Sequence, residues 1–406
     1  MSSLNGIRVL DLSRVFSGPW ATQMLADFGA EVIKVERPSK GDDVRYQGIP
    51  LKDTKGQATQ ETSSFIAMNR GKKSITLDIS TVAGQDIVKA LVAQSDVLVE
   101  NFKPKDLERF GLDYLSLKAI NPKLIYCSIS GFGQTGPYSH RPGYDPIFQA
   151  MSGLMSVTGK ADSQVGGGPV RTGFAIGDIT AGFYAVCAIL AALRHRDAVS
   201  SRGQHIDLAL FDAQVASLSH LGMMYLVSGE QPKRLGNASP ITCPYQSFEC
   251  SDGTIMVTVG NDSQFLKFCE VLGLAHLPLD DRFKTNQMRV KNKDALIPQL
   301  EQVIKGNTLD FWYTSFERSG VPSGPINEFA DVFSDPQIKH RNVQFEMEHS
   351  TLGKIPQISN PIIFSETPNV YEMAPPTLGQ HTHEILKELL NFEQAQLDDL
   401  RLKKVI

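Results

Sequence analysis

The chain predicts an α/β fold built on a Rossmann-like, doubly wound parallel sheet, and three features of its first third carry that expectation. Short apolar segments recur at Ile7 to Leu12, Glu31 to Glu36, Ser74 to Ile79, Val97 to Val99 and Leu124 to Ile129, with helix-compatible stretches between them. Strands alternating with helices in this way imply right-handed crossovers and a parallel sheet. Pro19 stands where a helix can begin with its fixed φ, and Gly29 where one can end. The loops that follow the strands hold Arg14 to Pro19, Arg37-Pro38, Asn101-Phe102 and Ser130 to Gly133. Those loops fall at the carboxyl ends of the strands, where open α/β sheets bind ligands.

Each element has its own local reason. Glu31 to Glu36 (EVIKVE) alternates with the two-residue period of a strand. A helix is expected from about Val82 to Gln94 and another near Leu115. The least polar run, Ile179 to Leu193, carries no charge, so a helix there is expected to be buried on most of its surface. It is shorter than the roughly 20 residues that cross a bilayer. Beyond it come a turn at Ser200 to Gly203, a strand from Gln204 to Leu208 and a helical pattern from Asp212 to Val227. From about Gly229 the composition shifts to Gly, Pro and short β-like runs such as Gly253 to Val259. Ser323 to Ile326 reads as a linker, Gln344 to Glu348 and Lys354 to Ile358 as paired strands, and His381 to Leu390 as an amphipathic helix. The expected division is 1–229, a smaller α+β domain over 230–330, and 331–406 returning to the first.

Composition excludes several function classes. The 406 residues are 41% hydrophobic and 21% charged, with a formal net charge of −4 and no long basic run, which argues against a nucleic-acid surface or a polybasic membrane contact. The five cysteines, Cys127, Cys187, Cys243, Cys250 and Cys269, are odd in number and scattered, with no CxxC pair. They read as reduced thiols in a cytoplasmic setting, and no metal site is expected. The N-terminus lacks the layout of a signal peptide. The first βα turn has no GxGxxG, which disfavours a dinucleotide, whereas arginines at strand ends suit a phosphorylated ligand.

The chemistry-bearing stretch is Arg171 to Gly182, RTGFAIGDITAG, with one carboxylate at the start of the apolar helix. Asp178 is open to two compatible readings. In one it caps its own helix by accepting a free N–H. In the other the helix terminus holds the carboxylate ionised to attack an activated carbonyl, with Gly173, Gly177 and Gly182 leaving room for substrate.

Taken together, Val9 to Pro38, Lys72 to Asp78, Asp96 to Phe102, Ser128 to Tyr138, Pro142 to Gly159, the Asp178 segment, His205 to Ala213, Ser319 to Ile326 and Leu378 to Leu386 resemble the class III CoA-transferases over nearly the whole chain. That resemblance implies an interlocked homodimer whose substrates are an acyl-CoA and a carboxylic acid, with no permanently bound cofactor. It implies that Asp178 is the nucleophile, carrying the acyl group as an aspartyl anhydride and then CoA as an aspartyl thioester. Coenzyme A contacts are implied for Phe16, Ser17, Arg37, Leu77, Asn101, Phe102, Arg109, Arg141 and Tyr144, and substrate contacts for Gly260, Asn261 and Asp262. The middle and C-terminal blocks look most like the succinyl-CoA:glutarate and acetyl-CoA:oxalate branches, hence a short dicarboxylate acceptor. Two alternatives stay open. Alpha-methylacyl-CoA racemases share the fold but need a histidine after Gly143, where this chain has Tyr144. The other is a CoA-binding subunit without turnover.

Overall fold

A computed structural model describes residues 1–406, which divide into two compact units. One comprises Met1–Leu154, Thr172–Ser228 and Gln337–Ile406, the other Met155–Arg171 and Gly229–Pro336. The segment Met155–Arg171 thus leaves the uninterrupted 1–229 stretch expected from composition. It is tied to the second unit by bonds such as Arg234 Nη1 to the Ser156 carbonyl (2.9 Å) and Gly236 N–H to the Gly159 carbonyl (2.9 Å).

The first unit is organised on a six-stranded sheet whose order in space is Lys72–Thr76, Glu31–Glu36, Arg8–Asp11, Val97–Glu100, Ile125–Ser130, His205–Ala209. Every neighbouring pair is parallel. Counted along the chain the order is third, second, first, fourth, fifth, sixth, so the connections reverse direction between Arg8–Asp11 and Val97–Glu100. A reversal of this kind opens a crevice at the strands' carboxyl ends. Apolar side chains cover both faces. Ala21, Leu25, Ala181, Ala185 and Ile189, from the helices Ser17–Asp27 and Ile176–His195, pack on one face. Ile87, Leu91, Leu117, Ile385 and Leu397 pack on the other.

Because both faces are covered, the alternation in EVIKVE does not mean one wet side. All but Glu31 are buried, and the charges are neutralised internally. Lys34 meets Asp42 at 2.8 Å, and Arg45 meets Glu36 and Glu61 at 2.8 Å each while its guanidinium lies 3.5 Å from the centroid of the Phe65 ring.

Three other expectations change. Asp212 to Val227 is two helices, Leu210–Ser217 and Ser219–Ser228, broken where Ser219 takes φ 45°. Ser323 to Ile326 is not a free linker, because Ser323–Pro325 pairs with Thr254–Thr258 at the edge of a three-stranded antiparallel sheet. That sheet and the helices Asp262–Val271, Lys293–Ile304 and Leu309–Ser319 form the second unit's core around Phe248, Phe265, Phe268, Trp312 and Phe316. The apolar helix is also longer and less buried than expected. The span Ile176–Ser200 has the length and apolar character of a membrane span, and only 44% of its most apolar window is buried, with Phe183, Tyr184 and Cys187 exposed. Its Ala181, Ala185 and Ile189 face is core all the same.

Candidate active site

The crevice at the strand reversal is a cleft of ≈ 380 Å³ lined by Arg14 and Ser17 after the first strand, Asn101 and Phe102 after the fourth, and Arg141, Tyr144, Asp145 and Asp178. Its two walls are stitched through the backbone of one residue: Asn101 Oδ1 accepts the Arg14 N–H (2.9 Å) while Asn101 Nδ2 donates to the Arg14 carbonyl (2.6 Å). The Arg14 guanidinium lies 4.9 Å from the centroid of the Phe102 ring, and that of Arg141 lies 3.8 Å from the Tyr138 centroid. Both cations are held by aromatic rings at the mouth of the cleft, where an anionic ligand would enter.

Asp178 lies in the first turn of the Ile176–His195 helix, as its sequence position suggests, but it does not cap that helix. The N-cap position is Ala175, which has no capping side chain. The cap comes from elsewhere in the chain. Asp145 Oδ1 accepts the Gly177 N–H (2.6 Å) and, more weakly, the Asp178 N–H (3.3 Å). Its other oxygen accepts from Gln149 Nε2 (2.5 Å), and Gln149 Oε1 in turn accepts the Thr172 N–H (2.9 Å). Local packing sets Asp145 in place. The Phe148 ring fits beneath Gly131 and Gly143, where an added Cβ would come within 2.9 Å and 2.5 Å of it.

The Asp178 carboxylate is turned instead toward a second helix. Ser17, the first residue of Ser17–Asp27, lines the cleft with it, and its hydroxyl and backbone N–H oppose the rise of its pKa. Small residues allow the two helices this close approach: a Cβ on Gly182 would lie 2.8 Å from Trp20 Cδ1 and 3.1 Å from the Ser17 carbonyl oxygen.

This arrangement reverses the expected electrostatics. Free N–H groups at its own helix terminus were expected to keep Asp178 ionised, but Asp145 occupies them and adds a second negative charge. Burial, and then Asp145, push the Asp178 carboxyl up to about 7, against the opposing pull of Ser17. A carboxylate in a cleft beside Ser17 can attack an activated carbonyl, and N–H and O–H donors close by can stabilise the resulting oxyanion.

Ser17, Asn101, Phe102, Arg141 and Tyr144 therefore share one cleft with Asp178. Other residues expected at the site lie apart from its lining. Phe16 joins an apolar cluster with Val44, Phe65 and Met68. Arg37 pairs with Asp43. Leu77 is 2% exposed and belongs to the core. Arg109 rests against its neighbour Phe110 at 4.5 Å. Gly260, Asn261 and Asp262 belong to the second unit, where Asn261 caps the Asp262–Val271 helix and Asp262 pairs with Arg289 at 2.8 Å. Asp145 was not singled out by sequence reasoning. The available signal was its place directly after Tyr144 at a helix start, which by itself says only that it can cap a helix.

Comparison with known proteins agrees with the cleft. Residues 4–382 match the family model described as CoA-transferase family III. The chain is 46% identical, over 97% of both sequences, to the succinate–glutarate CoA-transferase of Agrobacterium fabrum (strain C58). It is 43% identical to the human succinyl-CoA:glutarate CoA-transferase over 98% of this chain and 88% of that one. The crystal structure of a CaiB/BaiF family protein from Brucella suis superposes with a TM-score of 0.83 at 45% identity, covering 96% of this chain and 99% of the other. An α/β chain with this strand order and a match running through the Asp178 segment belongs to CoA-transferase family III and is a CoA-transferase.

Proposed function

We propose that the protein transfers CoA from succinyl-CoA to a short dicarboxylic acid of the glutarate type, with Asp178 as the covalent carrier. The observation that carries the reading is Asp178 itself, set in the cleft opposite Ser17. The relatives named as succinyl-CoA:glutarate enzymes, similar over nearly the whole chain, support the substrate pair.

In this mechanism an Asp178 oxygen attacks the succinyl thioester carbon. The C–S bond breaks, CoA leaves as thiolate, and a succinyl-aspartyl anhydride remains. The thiolate then attacks the aspartyl carbonyl, succinate departs as a carboxylate, and Asp178 holds CoA as a thioester. The acceptor carboxylate attacks that thioester, the thiolate leaves again and returns to the acceptor's own carbonyl, and Asp178 is regenerated as a carboxylate. No proton is gained or lost overall. The Ser17 hydroxyl and N–H, which share the cleft with Asp178, are suited to the aspartyl carbonyl oxygen as it becomes tetrahedral. Arg14 and Arg141 suit the CoA phosphates.

The proposed assembly is a homodimer. Its support is the apolar surface a single chain leaves open, Phe183 and Tyr184 on the nucleophile helix and Met223, Tyr225, Leu226 and Val227 on Ser219–Ser228. The decisive experiment mixes the protein with succinyl-CoA and glutarate and follows glutaryl-CoA. Wild type should form it, and hydroxylamine added during turnover should convert Asp178 to its hydroxamate. Asp178→Ala should lower turnover by at least about 10³-fold. Undiminished transfer by that variant rejects the mechanism, and no transfer by the wild type rejects the substrate pair.

A further inference from the structure

Between the first strand and the Ser17–Asp27 helix the chain makes a tight kink at Val15, whose φ is 70°. A β-branched residue avoids this left-handed region, so something outside the kink must hold it there. The surrounding bonds identify what does. Lys34 Nζ donates to the Ser13 carbonyl (3.0 Å), and the Val15 N–H donates to Asp42 Oδ1 (3.0 Å), so both peptides that lead into the kink are held. Lys34 and Asp42 are joined at 2.8 Å, and both side chains are wholly buried. Thus one ion pair grips the backbone two residues apart.

The rest of the segment is equally constrained. The Ser13 N–H donates to Asp11 Oδ1 (2.9 Å), and Asn101 holds both polar groups of Arg14. Two residues past Val15 stands Ser17, which lines the cleft together with Asp178. A buried ion pair brings little net stability over apolar packing of the same volume, so stability alone is a weak reason for its presence.

We infer that the Lys34–Asp42 pair is a positioning device for the transfer reaction, fixing the backbone that leads into the Val15 kink so that Ser17, two residues on, keeps its place in the cleft with Asp178. Neither residue touches substrate; both act through the backbone. The inference rests on the proposed role of Asp178.

Its test is a double-variant cycle on the full-length protein, with succinyl-CoA and glutarate as substrates. Asp42→Ala frees the Val15 N–H, and kcat should fall about a hundredfold, the cost of a group displaced by about an ångström, with a smaller change in KM for the thioester. In a Val15→Gly background the kink needs no holding, since glycine takes this φ without strain. There the same Asp42→Ala change should cost about tenfold less. Asp42→Asn keeps an acceptor for the Val15 N–H and should recover most of the lost kcat. Equal losses in the two backgrounds, or an Asp42→Asn variant as slow as Asp42→Ala, overturn the inference. Crystal structures of wild type and Asp42→Ala give a readout that does not depend on turnover. Ser17 should move away from Asp178 in the variant, and an unmoved Ser17 overturns the inference whether or not the functional reading stands. A wild type that transfers no CoA between these substrates counts against that reading alone.

Discussion

Asp145 accepts the Gly177 N–H at 2.6 Å and so takes, at the head of the Ile176–His195 helix, the capping place that the sequence offers to Asp178. Asp178 is thereby released to face the start of a different helix at Ser17. Each of these helices is met at its N-terminus by a carboxylate from another segment, and the two carboxylates lie close enough for one to resist ionisation of the other. Burial first, and then the neighbouring Asp145 charge, give Asp178 its raised pKa.

The pH dependence of turnover follows from this pair. The proposed nucleophile must be ionised, so kcat/KM should rise with pH and level off above about 7. Asp145→Asn keeps an oxygen for the Gly177 N–H and removes the neighbouring charge. Its rising limb should move about one unit toward acid, which a pH–rate profile of the two proteins measures. An unmoved limb would mean that Asp145 does not influence the titration.

Stability should show the same linkage with the opposite benefit. A carboxyl whose folded pKa lies above its unfolded value, here about 7 against 3.8, adds stability when protonated and loses it as pH rises through the folded pKa. Asp178→Asn cannot ionise. It should melt at a higher temperature than wild type at pH 8, with the difference shrinking toward pH 5. Thermal unfolding at the two pH values checks the sign.

The contact between the two helices should be intolerant of a single methyl group. Gly182→Ala would place its Cβ 2.8 Å from Trp20 Cδ1 and 3.1 Å from the Ser17 carbonyl oxygen. Separating the helices moves Ser17 from Asp178, and kcat should drop about 10²-fold while the protein remains folded by circular dichroism.

Removing an arginine at the cleft mouth should affect one substrate and not the other. Arg141→Ala leaves Asp178 and its partners in place, so KM for the CoA thioester should rise about tenfold, roughly one charge-assisted contact, with KM for the acid little changed. The wild-type KM for the thioester should also climb with salt, and the variant's less steeply. Equal effects on both substrates would place Arg141 elsewhere in the mechanism.

Much of the architecture is local and therefore readable along the chain. Glu31–Glu36 has the bounds its alternation predicts, and the other strands of the parallel sheet lie within about three residues of expectation, because period, Gly and Pro are properties of neighbouring residues. Asp178 is legible for the same reason, as the sole carboxylate where loop composition yields to an apolar helix. What the carboxylate faces is not local. Asp145 is 33 residues away, a separation seen in its bond to the Asp178 N–H, and Ser17 approaches from the other end of the unit. The burial of Lys34 and the pairing of Arg37 with Asp43 at the cleft also depend on which segments the sheet brings together. Sequence by itself determined the α/β class, the strand rhythm and the one carboxylate worth watching. Tertiary structure decided that carboxylate's partners, its charge state and the walls of its cleft, since desolvation and hydrogen bonding are set by residues distant in sequence that only folding makes neighbours.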